Sequence, residues 1–319
     1  MSAEPGASLA PRYHGRVYVS PPEEQAALVD LLRTRPRGLG WAELTSEVRR
    51  NGGPRQALEA LEPATLLPSD SRVADRAHAL QDVQSWASEG MIFLTIADDR
   101  YPGSIRDIHQ APPFLFAAGT LMHEDVAVSV VGSREASEQG LKMSGAVARA
   151  LVELGVSVVS GLARGVDGAA HEATMDAGGR PVGVIATGLR KQYPAEHRQL
   201  HRRVAESGLL LSQFWPDAPP QRHNFLMRNA TMSGYGLATV VIDADEHSGA
   251  RAQARMAVEH GRPVILTDLV VAATEWGAAL VGRPGVHVVS STREVVDVVQ
   301  GLASAPSRID RVLASLVAG

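Results

Sequence analysis

The chain has 319 residues, 45% of them hydrophobic and 21% charged, a balance that supports more than one hydrophobic core and excludes general disorder. There is no cysteine, which excludes disulfides, thiolate-bound metals, iron–sulfur clusters and thiol nucleophiles and fits a reducing, cytoplasmic setting. A net charge of −4 gives no overall pull toward nucleic acid, so any phosphate-binding surface has to be a local patch.

Residues 1–20 are rich in Pro, Gly, Ser and Ala and read as a loose leader; they lack the basic start and apolar run of a signal peptide. No stretch of the chain is apolar for long enough to span a bilayer. From Pro22 to Leu61 apolar residues recur at helical spacing (Leu28, Leu31, Leu32; Leu44, Val48; Leu58, Leu61), with breaks at Pro36–Gly40 and Asn51–Pro54. A further helix over Ser71–Glu89 completes a helical domain at 21–90, and 91–124, with a short strand at Met91–Ile96, is a linking segment. From Val126 the pattern changes to short β-branched runs at Val126–Val131, Val156–Ser160, Pro181–Ala186, Gly208–Ser212, Leu237–Ile242, Pro263–Thr267 and Val286–Val289. Amphipathic helices such as Leu141–Leu154, Ala195–Glu206 and Ala250–His260 lie between them. Apolar strands alternating with helices imply a Rossmann-like, doubly wound, mostly parallel α/β domain over 125–302, followed by one short helix (Ile309–Val317) in 303–319.

In such a sheet ligands bind beyond the carboxyl ends of the strands, so the loops there carry the functional information. After the first strand, Gly132-Ser133-Arg134 leads into a helix that Ser133 or Ser137 can cap; Gly132 and Ser137 serve either an anion site or only the turn and cap. After the second, Gly161 and Gly165 flank Arg164, so that backbone amides and a guanidinium can face one anion. Asp167 and His171 share a helix face and form either an acid/base couple or a structural cap and hydrogen bond. The third loop, with Gly188, opens the densest basic segment, in which Tyr193 interrupts Arg190, Lys191, Arg198, Arg202 and Arg203. That segment is either a strand-binding surface or a solvated helix face.

The fourth strand leads to Asn224, Phe225, Arg228 and Asn229, an aromatic among polar groups that can bond bases or phosphate, or else a core phenylalanine. The fifth ends at Asp243, Asp245, Glu246 and His247, either solvated acids or metal ligands, and then Ser248 and Gly249 open a helix with Arg251 beside them. Only two of the 31 basic residues, Lys142 and Lys191, are lysines. The arginine bias suits bidentate phosphate contacts and base stacking, and a GC-rich genome would produce it too.

The run Ser160–His171 (SGLARGVDGAAH), preceded by Val131-Gly132-Ser133-Arg134 and followed by Thr187-Gly188-Leu189 and Tyr193-Pro194, resembles the signature of the DprA (Smf) family of DNA-processing proteins. Asp99-Arg100-Tyr101-Pro102 and Ala111–Gly119 resemble the segment entering that family's Rossmann domain, and the helical start resembles its N-terminal helical (SAM-like) domain. The resemblance implies a non-enzymatic homodimer, without cofactor or metal, that binds single-stranded DNA at the strand ends, protects it and loads the RecA recombinase onto it in natural transformation and recombination. Carried over by position, the DNA contacts are Ser133, Arg134, Arg164, Asn224, Phe225, Arg228, Asn229, Ser248 and Gly249. Arg251 is a cation nearby, and the glycines 132, 161, 165 and 188 shape anion-binding loops.

The chain also departs from the family pattern. Ala230 stands where a second arginine is expected, Ala250 replaces a serine, Thr267-Asp268 replaces Pro-Gly, and no winged-helix segment follows Gly301. Two other functions compete. One is nucleotide cleavage by the related phosphoribohydrolases, which share the superfold but carry a Pro-Gly-Gly-x-Gly-Thr loop that this sequence lacks. The other is a nucleotide or DNA sensor in phage defence, suggested by the altered late loops.

Overall fold

A computed structural model describes residues 17–61 and 70–304. Nine strands form one sheet: β1 (Ile92–Thr95), β2 (Phe114–Gly119), β3 (Ala127–Val131), β4 (Ser157–Ser160), β5 (Pro181–Ile185), β6 (Leu209–Ser212), β7 (Ala238–Val241), β8 (Val264–Thr267) and β9 (Val286–Val289). The N-terminal helices are α1 (Pro22–Thr34), α2 (Trp41–Asn51), α3 (Pro54–Leu61) and α4 (Asp70–Ser88), and the short α5 (Gly103–Arg106) falls between β1 and β2. Wound through the sheet are α6 (Glu138–Glu153), α7 (Val166–Asp176), α8 (Arg198–Ser207), α9 (Arg222–Tyr235), α10 (Gly249–Glu259), α11 (Asp268–Ala273), α12 (Glu275–Ala278) and α13 (Thr292–Ala303).

The strand order is β1-β2-β6-β5-β4-β3-β7-β8-β9, parallel from β6 to β9 and antiparallel at β1–β2 and β2–β6. The chain winds outward from β3 in one direction through β4, β5 and β6 and in the other through β7, β8 and β9. The winding therefore reverses between β3 and β7, which opens a crevice at their carboxyl ends. Both faces of the parallel part are covered, and neighbouring residues of a strand serve opposite layers. Val158, Val240 and Ile265 pack with α6, α7 and α13, whereas Val159, Val241, Val264 and Leu266 pack with the layer holding Met232 of α9 and Ala254 of α10.

Each strand expected from β-branched runs between Val126 and Val289 is found, trimmed by at most one residue at either end. The difference lies at 91–124, expected as a linking segment with one strand: it supplies both β1 and β2 to the sheet. Residues 114–119 (FLFAAG) lie next to two prolines and lack β-branched residues, so propensity does not mark them; burial does. Phe114 and Phe116 are fully buried in an aromatic cluster that joins the sheet edge to the helical region. Trp86 of α4 meets Phe116 edge-on at 4.9 Å, Trp41 of α2 meets Phe114 at 5.3 Å, and Trp215, beyond β6, stacks on Phe114 at 4.8 Å. The helical region thus shares a core with the sheet.

Of the expected leader, only residues 17–20 are described. They run beside the β1 edge, with Tyr18 and Ser20 donating backbone N–H groups to Asp99 (2.6 Å) and Asp98 (3.0 Å). The helix expected at Ile309–Val317 lies outside the described residues. Among those described, no helix is long and apolar enough to cross a membrane.

Phe116→Ala should cost about 3–5 kcal/mol of stability, the usual loss on truncating a buried phenylalanine. Urea unfolding followed by tryptophan fluorescence measures it, and a loss under about 1 kcal/mol would show that helices and sheet do not share this core.

Candidate functional site

The crevice at the β3/β7 reversal is a cavity of about 1240 Å³. Its walls are the loops after β3, β4 and β5, one side of α9, and the loop from β7 into α10 with the first two turns of that helix, so residues more than 100 positions apart in sequence meet there. Ten of the fourteen site residues expected from sequence line it: Gly132, Ser133, Arg134, Arg164, Phe225, Arg228, Asn229, Ser248, Gly249 and Arg251.

The loop after β3 is held from two sides. Ser133 donates its N–H to the Asp243 carbonyl (2.7 Å), and its hydroxyl accepts from Glu135 N–H (3.1 Å). Ser137, not Ser133, caps α6, accepting from Gly140 N–H at 3.0 Å, while its own N–H and hydroxyl both donate to the Asp243 carboxylate (2.8 and 2.6 Å). Arg134 is left exposed above the cavity with its guanidinium 5.3 Å from the centre of the Phe225 ring, and Tyr193 meets that ring edge-on at 5.8 Å.

Arg228 forms the floor, only 7% exposed; it donates Nη1 to the Val184 carbonyl (3.0 Å), and its Nε is buried with no hydrogen-bond partner among the described residues. Burial lowers its pKa and the charge of Asp167 opposes this, but a guanidinium stays protonated throughout. Burial likewise raises the pKa of Asp167, against the pull of Arg228 and of the amides of Ala163 and Gly161, which donate to its carboxylate at 3.3 and 3.1 Å. A Cβ on Gly161 would overlap the Arg228 guanidinium, so glycine is what admits the charge there. Gly165, at φ +72°, brings the β4 loop against the Ser133 and Arg134 carbonyls, again with no room for a Cβ.

Asp167 is therefore tied to the loop it follows. His171, one turn on, is fully buried, and burial pushes its pKa down to about 3 against the opposing pull of the Ser160 backbone. The two residues share a helix face as expected, but only Asp167 reaches the cavity.

Four expected residues are not on its wall. Asn224 turns inward at the start of α9, 3% exposed, and donates its amide to the carbonyls of Ala186, just past β5, and Pro219, in the loop before α9 (3.1 and 3.2 Å). Gly188 packs on the Trp215 and Pro216 carbonyls. Gly161 and Gly165 lie behind the lining and act through the close approaches just described. Sequence reasoning passed over Arg222, Gln253 and Arg255, which do line the cavity. Arg255 was legible as the residue one helical turn beyond Arg251 on α10.

Among the described residues, six arginines and four acidic residues line the cavity, a local positive excess in an acidic protein. Arg164 pairs with Glu196 at 3.5 Å and Arg251 with Glu246 at 3.5 Å, both at exposed positions. Asp243 is engaged by Ser137, Asp245 by the N–H of His247, and Glu246 by the N–H of Glu275. Among the described residues, no group of three or more His, Cys, Asp or Glu side chains is placed to hold a metal ion.

A sequence model of the family described as DNA recombination-mediator protein A matches residues 92–300. Protein Smf of Synechocystis is 37% identical over 177 residues, which are 54% of this chain and 44% of that protein, so less than half of the relative's length is represented. DNA processing protein DprA of Streptococcus pneumoniae is 33% identical over 224 residues, 70% of this chain and 77% of that one. Its X-ray structure superposes with a TM-score of 0.62 and 26% identity, covering 86% of this chain and 95% of that one. The Helicobacter pylori DNA processing protein A, whose structure is described for its single-stranded DNA binding mode, shares the fold with a TM-score of 0.59 and 21% identity, over 66% of this chain and 96% of that one.

Two expectations test the floor. Gly161→Ala should cost about 1–3 kcal/mol in chemical denaturation, because the added methyl must displace a buried guanidinium; unchanged stability would show that the Arg228 side chain yields freely. His171 stays neutral in the folded chain, while in the unfolded chain it takes a proton below its ordinary value of 6.5. The stability this contributes is intact above pH 6.5 and falls by about 1.4 kcal/mol per unit as the pH drops toward 3. The upward shift of Asp167 acts with the opposite sign, and the downward shift that burial gives His201 acts with the same sign as that of His171. Urea unfolding at pH 7 and pH 5 should therefore give a smaller loss in His171→Leu than in the wild type, and equal losses would show that His171 is accessible to protons.

Proposed function

The chain belongs to the DNA recombination-mediator protein A family, also called DprA or Smf, and on that footing we propose that its strand-end cavity binds single-stranded DNA. The observation that carries this reading is Arg134 lying over the Phe225 ring within a cavity lined by six arginines. Phosphates are met by guanidinium groups and by the amides at the start of α10, while Phe225 and Tyr193 offer faces and edges on which bases stack. Stacking works with single strands, whose bases are free to splay, and does not work with a closed duplex.

Family membership is the support for a wider role in the same proposal. The protein protects single strands in natural transformation and recombination and loads RecA onto them, acts as a homodimer through the Rossmann domain, works in the cytoplasm and catalyses no reaction.

Fluorescence anisotropy with single- and double-stranded oligonucleotides over a salt series tests the binding. Single strands should be preferred, and Arg134→Ala and Arg164→Ala should each weaken binding roughly tenfold and reduce the slope of log affinity against log salt by about one. Binding that is indifferent to salt and to both substitutions would overturn the reading, as would no binding at low salt.

A further inference from the structure

Gln253 lies on α10, one turn in from its N-terminus. It lines the cavity and is 1% exposed, and neither its amide nitrogen nor its amide oxygen has a hydrogen-bond partner among the described residues. An amide buried with both ends unsatisfied destabilises the fold relative to an apolar side chain of similar length. Its surroundings belong to a ligand site: Ser248 caps Ala250 N–H at 3.2 Å at the start of an eleven-residue helix, Arg251 and Arg255 stand at the rim, and a Cβ on Gly249 would meet nothing within 4 Å, so the first turn is open to approach.

Phosphate needs only the arginines and the helix amides, which between them offer donors alone. Gln253 offers a donor and an acceptor side by side, which matches the edge of a nucleobase. We propose that Gln253 reads a base, and that the base is adenine, in a nucleotide whose phosphate sits at the N-terminus of α10. Adenine is the base that presents an amino donor beside a ring-nitrogen acceptor on both of its open edges, so it pairs bidentately with a carboxamide in either orientation. The three side-chain torsions of glutamine let the amide turn to a base entering from the cavity, with the Phe225 face available for stacking.

This rests on the cavity being a single-strand site, and the test separates the two. In competition anisotropy with the full chain, an oligothymidine carrying several adenines should bind about tenfold more tightly than the all-thymine strand. Gln253→Leu and Gln253→Met should bind the two strands equally, while thermal unfolding shows both variants at least as stable as the wild type. If the wild type binds neither strand, the reading of the cavity itself fails. If it binds both equally, or keeps its preference in both variants, only the assignment to Gln253 is overturned, and its amide is then a buried structural position served by water.

Discussion

The guanidinium of Arg228 is buried where three strand-end loops meet, and a charge in that place obliges its neighbours to compensate it. Val184 at the end of β5 accepts one of its N–H groups, and Asp167 brings the opposite charge from the start of α7. Asp167 can do so because the amides of Gly161 and Ala163 turn toward it. That turn in its turn requires Leu162 to sit at φ +57°, a conformation that costs a β-carbon residue about 1–3 kcal/mol. The Leu162 side chain is fully buried and His197 hydrogen-bonds its carbonyl at 2.9 Å, so the loop is fixed from inside and outside. One buried charge therefore accounts for the glycine at 161, the acid at 167 and the strained leucine between them.

The same arrangement orders the cavity in two tiers. The floor, with Arg228 and Asp167, is buried, and the two opposite charges lie together there. The rim, with Arg134, Arg164, Arg251 and Arg255, is wet and its side chains reach outward. A rigid floor sets the spacing of the rim by fixing the loops on which the rim arginines stand. Gly165 transmits that spacing from the β4 loop to the β3 loop, since it lies against the Ser133 and Arg134 carbonyls.

Much of this was legible in the sequence, and for identifiable reasons. Of the seven strands from β3 to β9, all but the leucine run of β6 are short runs rich in β-branched residues, bounded by glycine, proline and polar residues, the pattern that strand physics imposes on a buried parallel sheet. Their order then places the loops after β3, β4 and β7 together, which is why Arg134, Arg164 and Ser248 converge as expected. Strand β2 escaped because it is made from phenylalanine, leucine and alanine, residues that suit a helix or core as well as a strand. Asn224 was misplaced because one residue along a helix is a turn of about 100°, and the side chain before Phe225 faces the sheet and not the crevice. Gln253 went unnoticed because the alternatives for an amide in a helix, solvated or buried, differ only in tertiary packing.

A cavity proposed to take up a polyanion in an acidic chain has to keep its positive groups usable, and the rim is arranged for that. Arg164, Arg251 and Arg255 each have an acidic neighbour, at 3.5, 3.5 and 3.4 Å, and each of these pairs is exposed. An exposed ion pair of this kind contributes at most about 1 kcal/mol, because water already solvates both charges. The acid limits where the guanidinium wanders without binding it strongly, so a phosphate can take over the arginine at small cost. Arg134 is arranged differently, over the ring of Phe225, where the attraction is about as weak and leaves the in-plane N–H donors free. A lysine in these positions would hold its charge as a hydrated point with no planar face to stack, which gives the arginines of the rim a physical reason beyond genome composition.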